Sequence, residues 1–184
     1  MLSDNDLAIG IKKGDPDTFT CLYNQYSFKL LNHIYKLAGN REEAEEILAD
    51  VFLTIIKKIS FYQESNVEGA TLKAWMFRIA SNKTIDHLRR KKREQLVKHK
   101  SIIEDFGTSM EDRINLKSDL GYVDLLIKKL PLLQRTIMSL KVVENFSYME
   151  ISRVTGLSVD MIKQILFKAR CNLKNEFNLQ ERVR

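Results

Sequence analysis

The chain has 184 residues, 44% of them hydrophobic, a share that supports a packed core and excludes wholesale disorder. Thirty Lys and Arg against 24 Asp and Glu leave a net charge of +6 and a pI near 9.2, which favours a polyanionic partner, either nucleic acid or an acidic membrane. No apolar run approaches the roughly 20 residues that a membrane helix needs, and the first residues carry Asp4 and Asp6 where an export signal would be positive. Cys21 and Cys171 form no metal-spaced pair. The expectation is a soluble protein of the reducing cytoplasm, with free thiols and no membrane insertion.

Only two Pro and seven Gly interrupt the chain, which favours long helices. Ser3 with Asp6 predicts a capping box and a short helix that stops near Gly14. Asp15-Pro16 opens a second helix, whose apolar stripe is Phe19, Leu22, Tyr23, Tyr26, Leu30, Ile34 and Leu37, ended by Gly39. A third begins at Arg41, its positive end met by Glu42, Glu43, Glu45 and Glu46. Ile47, Leu48, Val51, Phe52, Ile55, Ile56 and Ile59 form its predicted buried stripe, with Glu46, Asp50, Leu53 and Lys57 opposite. A polar stretch from Tyr62 to Ala70 separates it from a fourth helix near Thr71. There Leu72, Trp75, Met76, Ile79, Ala80 and Leu88 point one way, and the helix runs into the basic block Arg89–Arg93.

Charge divides the chain as well. Residues 1–88 carry −2, 89–100 carry +6, 101–119 carry −3 and 120–184 carry +5. The acidic stretch shows no clean period and contains Gly107, so it reads as a flexible joint. The division is residues 1–98, a joint over 99–121, and a second domain over 122–184. In that second domain Val123–Leu130 is one helix, and Pro131 opens the next, with Leu133, Ile137, Leu140 and Lys141 along it. The fold class is therefore all-α, in two small helical domains.

The informative stretch is Ser147 to Arg170. Ser147 and Glu150 make a full capping box, Gly156 stands where one helix must stop and turn, and Ser158 caps the next. Ile151 and Val154 face inward from the first helix, and Ile162, Ile165, Leu166 and Ala169 from the second. Small Ser152 lies where the helices approach. This is a helix-turn-helix pattern, and a plain helical hairpin is the alternative reading of it. In a DNA reader the exposed Asp160, Lys163, Gln164, Phe167 and Lys168 of the second helix would meet bases and phosphates, with Arg170 toward phosphate. The fourth helix adds Trp75, Arg78, Asn82, Lys83 and the Arg89–Arg93 run, suited to phosphates and unstacked bases. Trp75 also lies on the apolar stripe, so a core role stays open for it.

In this order the motifs resemble the sigma-70 family, specifically its small extracytoplasmic-function group with only regions two and four. "AEEILADVFL" (Ala44–Leu53) is similar to the region-two segment that binds polymerase, and "LKAWMFRIASNKTIDHLRR" (Leu72–Arg90) to the promoter-melting and minus-ten segment. "LPLLQRTIMSLKVVENFSYMEIS" through "FKARCNLK" is similar to region four. The resemblance implies an alternative sigma factor that binds core RNA polymerase and directs promoter-specific initiation. It assigns polymerase docking to Glu46, Asp50, Val51, Phe52 and Leu53, although the helical wheel places Val51 and Phe52 in the core. It assigns minus-ten DNA to Phe61, Trp75, Arg78, Asn82, Lys83, Arg89 and Arg90, with Asn82 holding a flipped non-template base. Lys163, Gln164, Phe167, Lys168 and Arg170 would read the minus-thirty-five element. Implied partners are core polymerase and promoter DNA, both duplex and melted, with room for an anti-sigma protein. Two departures stand out: the Phe61–Lys73 loop is longer than the family's, and Gln164, Ile165 and Leu166 replace a usual small residue and Arg.

No catalytic constellation accompanies these motifs. His33, His87 and His99 lack metal spacing, no phosphate-binding or nucleophile-elbow motif occurs, and no cofactor is expected. His33, between Leu30 and Leu37, reads as packed at the core boundary. The alternative function is a stand-alone helix-turn-helix regulator that never joins polymerase. It would leave the Glu46/Asp50 surface without a role. A pure interaction protein would bind no DNA at all.

Overall fold

The computed structural model describes residues 2–63, 67–98 and 126–181, with backbone alone at 97, 98 and 176–181. Helix α1 spans Asp4–Lys12, and its capping box is complete. The Ser3 hydroxyl accepts from the Asp6 amide at 3.2 Å, and the Asp6 carboxylate accepts from the Ser3 amide at 3.2 Å. Hydrogen bonds from Ser3 hold the Asp6 carboxyl below the usual carboxylate range. Helix α2 runs Pro16–Ala38, capped by the Asp15 side chain and closed by Gly39 at φ 80°. Asn40 caps α3, Arg41–Lys58, by accepting from the Glu43 amide at 2.9 Å. A 3-10 turn at Ile59–Phe61 follows, then α4, Leu72–Lys98.

Helices α1, α3 and α4 pack around α2. Leu22, Leu30 and Ile34 of α2 meet Val51 and Ile55 of α3 and Met76 and Ala80 of α4, all fully buried. Two expectations need correction here. Ile56 is 46% exposed, because it sits more than about 90° round the α3 wheel from the centre of the buried stripe, and no described element covers that flank. On α4 the fully buried residues include Phe77 and Thr84, while Trp75 and Ile79 are only half-buried. The reason is that α4 is covered from two sides, by α2 and α3 and by a helix of the second group. Its buried arc is broader than one amphipathic stripe.

The second group begins with a helical turn at 126–129 and α5, Leu132–Met138, whose first turn bonds back to Pro131. Helix α5 widens without a break into a π turn, Ser139–Val143. Helix α6 is Tyr148–Thr155 and α7 is Val159–Glu181. Ile137, Leu140, Phe146, Ile151, Val154, Ile162, Leu166 and Ala169 form their core. Leu133, one turn before buried Ile137, is 46% exposed.

The two groups meet face to face. Phe77 of α4 packs edge-on to Phe146 with ring centroids 5.0 Å apart. The Lys73 ammonium lies 4.1 Å from the Phe146 ring centroid and donates to the Glu144 carbonyl at 2.9 Å. Burial pushes the Lys73 amine down and the Glu144 carboxyl up, each countered by the charge of the other. Arg135 of α5 donates from Nη1 to the Leu37 carbonyl at 3.2 Å, at the negative end of α2. Gly69, at φ 77°, lies so close to α6 that a Cβ there would stand 2.6 Å from the Met149 carbonyl carbon. The acidic joint expected over 99–121 falls outside the described residues.

Candidate polymerase and nucleic-acid interfaces

Three surfaces carry the residues singled out in the sequence. The first is a ridge on α3. Glu46, Asp50 and Leu53 project from it at helical spacing, all exposed, with Leu53 at 54%. Val51 and Phe52 lie beneath, buried. Phe52 packs edge-on to Phe19 at 6.0 Å and tilted against Tyr23 at 4.8 Å, so α2 holds the ridge from below. Exposed Ile56 extends the ridge's apolar flank, which the wheel alone had assigned to the core. An acidic edge beside exposed Leu and Ile suits a protein partner with a basic rim and an apolar centre.

The second surface is the outer face of α4. Trp75, Arg78, Asn82 and Arg89 follow one another at steps of three, four and seven, so they share one stripe about 21 Å long at 1.5 Å per residue. Arg78, Asn82 and Arg89 are exposed. Trp75 is half-buried, its ring tilted on buried Tyr62 with centroids 5.5 Å apart, which leaves part of the indole accessible while fixing its position. Phe61 stands 81% exposed on the 3-10 turn at the start of the same loop. Lys83 points elsewhere: its ammonium is 3.9 Å from Asp50, so it belongs to the α3 ridge side. Arg89 and Arg90 make loose pairs at 3.9 Å with Asp86 and Glu94 along the helix. Pairs as exposed as these cost little to break.

The basic run is not uniform. Lys91 is ion-paired with Glu43 at the start of α3, and His87 Nε2 lies 3.2 Å from the same carboxylate. These contacts fasten the second half of α4 to α3. Lys91, although exposed, therefore has a structural task that composition did not reveal, whereas Arg89 and Arg90 make only the loose pairs above and Lys92 is exposed.

The third surface is α7 with α6. The Ser147 hydroxyl accepts from the Glu150 amide at 3.1 Å, and Glu150 accepts from the Ser147 amide at 2.8 Å. Gly156 closes α6 at φ 75°, a conformation that costs a side-chain-bearing residue about 1–2 kcal/mol. Ser152 donates to the Leu157 carbonyl at 2.6 Å across the turn, and Ser158 accepts from the Met161 amide at 3.3 Å to start α7. Ile162, Leu166 and Ala169 are buried and Ile165 is half-buried. Asp160, Lys163, Gln164, Phe167, Lys168 and Arg170 are all exposed on the other side, Phe167 at 69%. Lys163 is 3.8 Å from Asp160 and 5.8 Å from the Tyr148 ring centroid, a loose anchorage that leaves the ammonium in solvent.

What the sequence did not reveal lies between the two groups. His33 is fully buried rather than packed at the boundary. Its Nδ1 is 2.9 Å from Ser139 Oγ and its Nε2 is 2.9 Å from Ser81 Oγ. Burial takes the imidazole pKa down to about 3. Both cysteines are free and exposed. Among the described residues no cluster of three or more His, Cys, Asp or Glu could hold a metal ion, and no helix is long and apolar enough to cross a membrane.

A model of Sigma-70 region 2 matches residues 22–94, which include α3 and most of α4, and a model of Sigma-70 region 4 matches residues 120–173. The ECF RNA polymerase sigma factor SigW of Bacillus subtilis is 29% identical over 90% of this chain and 92% of its own. SigM of the same organism is 26% identical over 85% of this chain and 93% of its own. The ECF RNA polymerase sigma-E factor of Haemophilus influenzae is 24% identical over 96% of each chain. The fold is also that of CnrH, solved with the cytosolic domain of CnrY (TM-score 0.72, 20% identity, 96% of this chain and 97% of that one). RpoE of Bartonella quintana, solved with the anti-sigma factor NepR, has the same fold (TM-score 0.69, 21% identity, 87% of this chain and 96% of that one). With both sigma-70 segments present in order over most of its length, the chain belongs to the extracytoplasmic-function group of the sigma-70 family and is an alternative sigma factor, a subunit that binds core RNA polymerase for promoter-specific initiation of transcription.

Proposed function

We propose that the three exposed surfaces divide the work of initiation. The α3 ridge of Glu46, Asp50 and Leu53 docks on the polymerase clamp, with Val51 and Phe52 supporting it from the core. The α4 stripe of Trp75, Arg78, Asn82 and Arg89, with Phe61 beside it, Arg90 flanking it and Lys83 reaching it by leaving its loose pair with Asp50, holds the melted minus-ten element, and Asn82 binds a base drawn from the non-template strand. Helix α7 reads the minus-thirty-five element. There Gln164 supplies bidentate hydrogen bonding, Phe167 apolar contact with a thymine methyl, Lys163 a donor to guanine, and Lys168 and Arg170 phosphate contacts. Residues 1–98 and 122–184 act as the two working domains, and residues 99–121 as the tether between them. The site of action is the cytoplasm, where polymerase and chromosome meet.

The observation that carries this reading is the exposure of the ridge, the stripe and the recognition face on elements whose opposite sides are locked in the core. Extruding a base costs a few kcal/mol, which backbone and pocket contacts offset. An anti-sigma protein is a further partner, since relatives of the same fold were solved with CnrY and with NepR.

Reconstituted holoenzymes test the division. Asp50→Arg is expected to abolish core binding with folding intact. Asn82→Ala should keep core binding and lose promoter opening, and Gln164→Ala should keep both and change the preferred upstream base. Loss of core binding in all three, or in none, contradicts the division.

A further inference from the structure

The interface between the two groups contains a group that none of the three surfaces uses. His33 comes from α2, Ser81 from α4 and Ser139 from the π turn after α5. All three side chains are buried, and the imidazole touches one hydroxyl in each group. A neutral ring donates from one nitrogen and accepts at the other, and a serine hydroxyl can take either part, so the neutral arrangement is fully satisfied. The Phe77 ring, 5.3 Å from His33, and Phe146 behind it close the site to water.

Among the described residues no counter-charge is at hand for a protonated ring. On α2 the neighbouring charges are Lys29 and Lys36, themselves cations. On α4 Lys73 is turned to the Glu144 carbonyl, and on the second group Arg135 is turned to the Leu37 carbonyl and Lys141 to the Phe146 carbonyl. Of the acids at this interface, Glu144 faces Lys73, Lys29 and Lys36, and Glu150 faces Lys73 and accepts from Thr71; the His33 nitrogens bond the two serines and neither acid. Burial alone accounts for the depressed imidazole.

We propose that His33 is a proton-sensitive latch that holds the carboxy-terminal domain closed on the amino-terminal one, and that this closed form is the resting form of the sigma factor. The latch rests on geometry. The resting role rests on the sigma reading: elements named for positions some 25 base pairs apart lie ~85 Å apart along duplex DNA at ~3.4 Å per pair, beyond the reach of two domains packed side chain to side chain. Opening exposes His33 and returns it to an ordinary pKa of about 6.5. The sign follows. Closure is at full strength above pH 6.5, and below it the closed-to-open ratio falls about tenfold per pH unit, because only the open form takes up the proton. Glu144, raised in the closed form, acts in the opposite sense at acid pH, so the histidine must be isolated by substitution.

The exposed native cysteines, Cys21 on α2 and Cys171 on α7, report domain separation directly when they carry a donor and an acceptor dye. Energy transfer in the full chain would be followed through a urea titration, so that both forms are populated, with Trp75 fluorescence reporting unfolding of the first domain. Between pH 7.5 and 5.5 the wild-type closed-to-open ratio should fall about tenfold, and that of His33→Gln should change less than twofold. Ser139→Ala, which removes one partner without adding charge, should open the domains at pH 7.5 and speed binding to core polymerase. A wild-type ratio indifferent to pH, or an equal response in His33→Gln, overturns the latch. If Ser139→Ala opens the domains but no form of the chain binds core polymerase, the latch stands and the sigma reading fails.

Discussion

At the scale of single residues, neighbours on one helix carry opposite expectations. Leu53 is exposed at the ridge and Val51 is buried two positions earlier. Leu53→Ala should leave the thermal midpoint nearly unchanged, within about 0.5 kcal/mol, and weaken core binding. Phe77→Ala should do the reverse to stability: it empties a fully buried site between Phe146 and His33 and should cost about 3–5 kcal/mol in a urea unfolding curve. A cost below about 1 kcal/mol would mean that the two groups do not share that core in solution. The Leu53/Val51 contrast was legible in the sequence, because the α3 wheel separates them. Phe77 was not. It lies off the apolar stripe read from the α4 sequence, and it is buried between His33 of α2 and Phe146 of the second group, which is 69 residues away. His33 was half legible: its neighbours Leu30 and Leu37 placed it near the core, but the two serines that complete its site are 48 and 106 residues away.

Among the elements, the α6–α7 pair owes its angle to local chemistry that the sequence states outright: the Ser147/Glu150 box, Gly156 in the left-handed region and Ser158 at the next start. Ser147→Ala should cost about 1 kcal/mol and Gly156→Ala about 1–2 kcal/mol, read as shifts in the unfolding midpoint. If both variants match wild type, the turn geometry is set by something other than these caps. Helix boundaries elsewhere followed the same signals, with Pro16 and Gly39 bracketing α2. The continuation of α5 into a π turn had no such signal. It places Ser139 and Leu140 inward together, and it is held by the Lys141 ammonium on the Phe146 carbonyl and by Asn145 at φ 54°. Neither Lys nor Asn in that stretch announces a widened helix by its identity.

For the molecule as a whole, the charge pattern separates DNA contacts from structural ones. Each phosphate neutralised adds about 0.9 to the slope of log affinity against log salt. Arg89→Gln and Lys168→Gln should each lower the slope of holoenzyme–promoter binding by about that amount. Lys91→Gln should leave the slope unchanged and lower the stability of the first domain, since its ammonium is committed to Glu43. Equal slope changes in all three would return Lys91 to the DNA face. The segment charges pointed to a nucleic-acid partner from the start, but they could not divide the basic run, because the division depends on where the start of α3 meets α4.

The claim on which the rest depends is that this chain joins RNA polymerase and selects promoters. The direct measurement is to add the purified protein to sigma-free core polymerase from the same bacterium and score complex formation together with run-off transcripts from genomic fragments. The account predicts a stable complex and new, specific start sites, both lost in Asp50→Arg. Specific duplex binding by the isolated protein, with no complex and no new start sites at either pH 7.5 or pH 5.5, would contradict it and make the chain a helix-turn-helix regulator that works alone.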